Sequence, residues 1–219
     1  MERNLLLLLM LNGLSNMFTI PIEKFSVPNW DVWRDRILAQ CDENSPQAII
    51  TNGRVSLHEM DTDYHDLVAK KAMPKYYWDV MDACAPILDQ MAHETGLDMQ
   101  KVVAMWHQTT ANGKFHGVHN HGPVGVTAVL YVQFDPSVHK ATTFIAPFTN
   151  FINGEIIDFI PEVKEGDIVF FPSYLAHLQE PNFSDVPRTI ISFNVMGKEM
   201  IPHKVVPRVQ VQQEPLTRD

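Results

Sequence analysis

The chain is short of cysteine and glycine, has no excess of positive charge, and offers no apolar stretch long enough to cross a membrane. Two cysteines in 219 residues, Cys41 and Cys84, cannot build a disulfide framework, and neither sits in a metal-type spacing. Each stands among apolar neighbours in an expected helix, which reads as a buried free thiol and fits a reducing, cytoplasmic compartment. A formal charge of −9 speaks against nucleic acid or an anionic membrane as a bulk electrostatic partner. The apolar run Leu5 to Leu11 is far shorter than the roughly 20 residues of a spanning helix. It looks like the core of a secretory leader, but only Arg3 precedes it, offset by Glu2, and no small-x-small cleavage site follows. Residues 1–16 are therefore expected to be an extension or a misplaced start, with Met17 near the opening of the folded part. No repeat, low-complexity tract or Gly/Ser linker divides the rest. The expectation is one domain over 17–205, with helical support at 17–100, a strand-built core at 101–197 and a tail at 206–219. Nothing in the sequence fixes an oligomeric state.

What is present is ordered from helix to strand. Phe18 to Ile22 reads as a short edge strand, since Pro21 excludes a central place. Asn29 is placed to cap a helix over about 30–42, and Tyr77, Val80, Met81, Cys84, Leu88 and Met91 form the stripe of a second over 75–94. Pro86 should kink or break that second helix, and Gly96 should stop it. Residues 45–73 are polar and mixed, and are expected to be loop-rich. From residue 101 onward the short segments 102–108, 126–134, 142–146, 156–160, 167–171 and 189–195 are β-branched or aromatic, with Gly, Pro and Asn between them. Helices followed by a run of strands predict an α+β domain whose β part is a sandwich or barrel.

Chemistry concentrates in that second half. His119 and His121 form a His-x-His pair, and His177 lies beyond the Pro-marked phrase Phe171-Pro172-Ser173. Alternate strand residues share a face, so the pair can point inward together, and a third histidine from a distant strand completes one face of an octahedral metal site. His58, His65, His93, His139 and His203 read as surface or satisfied core residues. His107 is expected to line the cavity or pack, and His116, of opposite strand parity to the pair, to face elsewhere. Arg188, eleven residues after His177, opens the next apolar strand.

The stretch Trp106 to Asn194 resembles the Fe(II)- and 2-oxoglutarate-dependent dioxygenase superfamily, and within it a group of bacterial and phage oxygenases. The matching residues are Trp106, Gly113, His119 and His121, Tyr131, Gly166-Asp167, Phe171-Pro172-Ser173, His177, Arg188 and Ser192-Phe193-Asn194. The resemblance implies a double-stranded β-helix (jelly-roll) with the N-terminal helices packed on one sheet. It implies Fe(II) on His119, His121 and His177, with 2-oxoglutarate as cosubstrate and its distal carboxylate on Arg188. Tyr131, Ser192 and Asn194 are candidate further contacts to the cosubstrate. The activity implied is a hydroxylase type, oxidising a small-molecule or peptidyl substrate with O2 and releasing succinate and CO2. His121 departs from the family pattern, which has Asp or Glu there, and three neutral imidazoles leave the metal its full dipositive charge. Ile190 stands where the family often has a serine.

Two other readings stand beside this one. Gly113 to His121 and Gly166 to His177 also resemble the two halves of a cupin motif, although 122–126 lacks the glutamate that motif expects. A non-catalytic jelly-roll binding or structural protein is the third. Residues 45–73 and 147–160 are expected to cover the cavity mouth, and no pattern in them selects a substrate.

Overall fold

Pro21 lies just outside the first strand. In the computed structural model, which describes residues 20–41, 47–51, 56–96, 99 and 101–197, β1 spans Glu23–Ser26 and forms one edge of the sheet. The edge strand expected at 18–22 is thus displaced, its first two residues lying outside the described ones. Pro21 has no N–H for the ladder, so pairing starts beyond it. In α1 (Trp30–Leu38) Asn29 occupies the N-cap position, but through its backbone. It adopts a left-handed conformation at φ 53°, and its carbonyl accepts a hydrogen bond from Val32 N–H at 2.9 Å.

The stretch expected to be loop-rich holds β2 (Gln47–Thr51), β3 (Ser56–Thr62) and α2 (Tyr64–Lys70). Its polarity misleads because β3 gains its order from distant partners, pairing with strands some fifty residues later at Asp61↔Thr109 and His58↔His116. The second long helix, α3 (Tyr77–Thr95), runs through Pro86 unbroken. Pro86 and Asp82 are both exposed, so the carbonyl deprived of its donor faces water. The opposite stripe of Val80, Ala83, Cys84, Ile87, Leu88 and Met91 is buried. Gly96 ends the helix at φ 69°, its N–H donating to Ala92 O.

The strands that follow are β4 (Val102–Thr110), β5 (Phe115–His119), β6 (Val126–Gln133), β7 (Thr143–Thr149), β8 (Ile156–Phe159), β9 (Asp167–Pro172), β10 (His177–Gln179) and β11 (Arg188–Val195). All pairings are antiparallel, in the order β1-β9-β6-β11-β4-β3-β5-β10-β7-β8, with β2 on β3. This sheet curls over itself. Phe144 of β7 and Phe171 of β9 stand far apart in that order, yet their ring centroids are 4.8 Å apart. The result is a double-stranded β-helix.

Period-two alternation gives the curled sheet two faces. Leu130, Ile168, Phe170, Ile191 and Phe193 pack outward against Ile37 of α1 and the stripe of α3. Val129, Tyr131, Val169, Phe171 and Ile190 point inward, where Phe144 and Leu175 close over them. Arg188 and Ser192 share this inward parity, which brings polar groups into the barrel. Among the described residues, no helix is long and apolar enough to cross a membrane.

Gly166 joins the two layers. At φ +83° its backbone N–H donates to Tyr131 O and its carbonyl accepts from Val27, while a Cβ there would stand 2.5 Å from Trp30 Cγ. Gly166→Ala should therefore cost roughly 2–4 kcal/mol, from left-handed strain plus overpacking. Gly113→Ala, at φ +81° with no described residue within 4 Å of the added Cβ, should cost about 1 kcal/mol from strain alone. Chemical denaturation of the two variants checks the difference.

Candidate metal centre

Three elements converge to bring the histidines together. His119 is the last residue of β5, His121 lies in the loop after it, and His177 is the first residue of β10. His177 pairs with His119 on one side and with Phe144 on the other. One ring nitrogen of each histidine lies within 4.8 Å of the others. The expected strand geometry applies only to His119. His121 is outside the strand, its N–H bound to Ser173 O at 2.8 Å and its ring stacked on Trp106 at 5.3 Å.

Each imidazole has its Nδ1 on an oxygen that can only accept. His119 Nδ1–H donates to Gly117 O at 2.8 Å, His177 Nδ1–H to Leu175 O at 2.9 Å and His121 Nδ1–H to Asn194 Oδ1 at 2.8 Å. These bonds fix one tautomer and leave Nε2 of all three as the free donor, the arrangement that metal-ligating histidines need. Charge state agrees with it. Burial is the main cause that holds His119 down at about 4 and His177 at about 2, and it lowers His121 against the opposing bond to Asn194. Three neutral, oriented imidazoles fit a first-row divalent metal, with open positions left for exogenous ligands.

This has a consequence for the metal-free protein. Between pH 6.5 and 4 the unfolded chain takes up protons at His119 and His177 that the folded chain refuses, so stability falls as pH drops through that window and is fully present above it. The expected result is a melting temperature for chelator-treated protein that declines from pH 7 to pH 5. A His119→Gln/His177→Gln double variant should show a visibly flatter decline.

Two histidines that the sequence placed elsewhere belong to this neighbourhood. His116 stacks on His119 with centroids 3.7 Å apart, which opposite parity in a regular strand forbids. The reason is a β-bulge. From His177 to Gln179, β10 advances two residues, while from His119 to His116 its partner β5 advances three. The extra residue turns His116 onto the face of His119, where its Nδ1 lies 3.2 Å from Gln108 Oε1. Burial and the neighbouring imidazoles push His116 far below the ordinary histidine range. His58, read as a surface or core residue, pairs across β3 with His116 and lies edge-on to it at 4.5 Å. His107 takes the outward face, its N–H donating to Asp63 Oδ1 at 3.0 Å. His139 is the satisfied core residue expected, bridging Asp135 N–H and Val186 O. His65 is exposed at a cleft rim, and His203 lies outside the described residues.

Two spaces meet at the cluster. An outer cleft of about 310 Å³ is lined by His58, Met60, Thr62, Tyr64, Trp106 and Asn120 among others. The 45–73 region thus reaches the mouth as expected, whereas 147–160 contributes no described residue to it and lies beside a separate groove. A narrow inner cavity of about 20 Å³ is lined by the same histidines together with Gln179, Arg188 and Ser192. Arg188 is 1% exposed and packs over Tyr131 at 5.4 Å and Phe134 at 5.8 Å. Burial, partly offset by Tyr131, draws its guanidinium down to about 10. Among the described residues its Nε and Nη2 have no hydrogen-bond partner, nor do Ser192 Oγ and Gln179 Oε1. Tyr131 and Asn194, expected as cosubstrate contacts, have polar atoms already engaged. Tyr131 Oη donates to Thr142 Oγ1 and accepts Thr142 N–H, both at 3.1 Å. Gln108, Gln179, Thr142 and His116 had no signal in the sequence beyond residue type.

Residues 104–194 match the family model described as "Putative 2OG-Fe(II) oxygenase". No curated protein matches the sequence. Among solved structures, a Pseudomonas putida prolyl-4-hydroxylase aligns over 82% of this chain and 94% of its own, with a TM-score of 0.58 and 14% identity. The carbocyclase SnoK from nogalamycin biosynthesis, described as non-heme and α-ketoglutarate dependent, aligns over 80% and 79%, at TM-score 0.53 and 14% identity. A Trichoplax adhaerens prolyl hydroxylase bound to a peptide of hypoxia inducible factor aligns over 82% and 84%, at 0.52 and 9%. Residues 104–194 thus match the 2OG-Fe(II) oxygenase family model, and the chain shares the fold of these solved structures.

Proposed function

We propose that the chain is a hydroxylase-type oxygenase whose two spaces divide the work. The outer cleft takes the substrate and the inner cavity the far carboxylate of the cosubstrate, with the metal held between them by Nε2 of His119, His121 and His177. One observation carries this reading: the fully buried Arg188 points unpaired N–H groups into the cavity that the three imidazoles share. A buried guanidinium without an acceptor is costly, and a carboxylate is the partner its planar fork fits best. Ser192 Oγ, also unpaired, lies on the same strand face and supplies a second contact. Tyr131 acts beneath Arg188 as an aromatic floor, pinned by Thr142.

When bound, Fe(II) and 2-oxoglutarate supply the oxidative chemistry: O2 and the cosubstrate yield succinate and CO2, and the second oxygen atom goes to the substrate. The protein supplies everything else. It presents neutral ligands of one tautomer, anchors the far carboxylate of the cosubstrate, and lines the inner cavity with the apolar side chains of Val129 and Ile190. A cupin-type site would give the unpaired Arg188 no task. The two buried thiols, raised to about 12 by burial, agree with a reducing, cytoplasmic setting.

The test is O2-dependent succinate formation screened over pools of small metabolites and peptides, with Fe(II) and 2-oxoglutarate present. A pool that raises succinate well above the uncoupled rate supports the reading and names the substrate class. Absence of any 2-oxoglutarate turnover, coupled or uncoupled, by iron-loaded protein contradicts it.

A further inference from the structure

The three ligands are not held alike. His119 and His177 each donate to the carbonyl two residues back in their own segment, Gly117 O and Leu175 O, so local backbone orients them. His121, beyond the end of β5, donates instead to a side chain from across the sheet, Asn194 Oδ1. That oxygen also accepts from Thr127 Oγ1–H at 3.0 Å. With its proton committed there, Thr127 must accept from Ser173 Oγ–H at 2.9 Å. Thr127 and Ser173 are buried, so neither hydroxyl has water as an easy alternative. Ser173 also takes the His121 N–H on its carbonyl and donates its own N–H to Gly125 O. Gly125 permits this approach at φ +114°, since a Cβ there would stand 3.2 Å from Ser173 Oγ.

We propose that Asn194 is a positioning residue for the third metal ligand, with Ser173 and Thr127 locking its carboxamide so that the oxygen faces His121. Resting on the three-histidine reading, this gives Ser173 and Asn194 a shared task that no backbone carbonyl performs at His121. It also sets the carboxamide apart from the cosubstrate pocket, which Asn194 does not line.

The experiment uses the full chain, Co(II) alone as the probe, and two readouts. Long-range 1H–15N NMR of the metal-free protein reports each histidine tautomer, and a Co(II) titration followed by visible absorption reports affinity. Asn194→Ala should weaken Co(II) about 10–100-fold and shift His121 from a pure Nδ1–H form to a mixture, with His119 and His177 unchanged. Asn194→Asp, which keeps the acceptor, should restore affinity to the wild-type level or better. Thr127→Val keeps Asn194 but frees its amide to turn, so a several-fold loss and a mixed His121 tautomer are expected even if the alanine variant folds poorly. Wild-type affinity with an unchanged His121 tautomer in both Asn194→Ala and Thr127→Val overturns the proposal. His119→Ala separates the two levels. If it binds Co(II) normally, the three-histidine reading fails, and if it does not while Asn194→Ala does, only the positioning role fails.

Discussion

Replacing Arg188 with methionine should abolish 2-oxoglutarate binding, raising its dissociation constant at least about 100-fold, while Fe(II) or Co(II) affinity stays unchanged. The asymmetry follows from position. Arg188 lines the inner cavity together with the histidines, opens β11, and packs over Tyr131 and Phe134. Its removal deprives the cosubstrate of a buried charge partner and touches nothing that holds the metal. The same variant carries a second expected result. In the cosubstrate-free fold the guanidinium is drawn from 12.5 to about 10 by burial, a penalty on the order of 3 kcal/mol at neutral pH. Methionine fills similar volume without that penalty, so the variant should melt no lower than wild type and should lose the stabilisation that added 2-oxoglutarate gives. Arg188→Lys is not a mild change here. A lysine can neither form the two-pronged contact nor lie flat over Tyr131, and a large part of the cosubstrate affinity should go with it. Isothermal titration and thermal melts with and without 2-oxoglutarate read all of these outcomes.

Replacing His177 with alanine should remove metal binding altogether, by about three orders of magnitude or more, and with it all succinate formation. His177 is the hub of the cluster. It sits between His119 and Phe144 on adjacent strands, its ring is 4.2 Å from that of His119 and 5.0 Å from that of His121, and it is 4% exposed. Phe171, whose ring lies 4.8 Å from it, packs against the same imidazole. His121→Ala should be milder and leave weak binding through the remaining pair, because His121 lies in a loop and owes its orientation to Asn194. The ranking His177 above His121 in a Co(II) titration is the discriminating result. Equal losses would show that the loop ligand is as firmly held as the strand ligands.

The barrel strands and the two long helices were legible in the sequence because their signals are local. β6, β9 and β11 combine β-branched and aromatic residues with turn residues at both ends, and the stripe of α3 has helical spacing that outweighs Pro86. The histidine cluster was legible for the same reason, with His-x-His before a strand-rich stretch and a lone His after Phe-Pro-Ser. What escaped depends on contacts between distant segments. β3 is polar, and it owes its place to pairing with β4 and β5. His116 was misplaced because parity assumes a regular strand, and the bulge between His116 and His119 is defined only by the register of β10. Asn194 shares strand parity with Arg188 and Ser192, and the hydrogen bond it makes to His121 follows from its height along β11, which parity alone does not give.

The most direct measurement is an anaerobic titration of the Fe(II)-loaded protein with 2-oxoglutarate, followed in the visible range. The account predicts a charge-transfer band that saturates with added cosubstrate, vanishes in His177→Ala because no iron is held, and fails to develop in Arg188→Met although iron is. Iron binding with no spectral response to 2-oxoglutarate in the wild-type protein, or a band of equal strength in Arg188→Met, would contradict it.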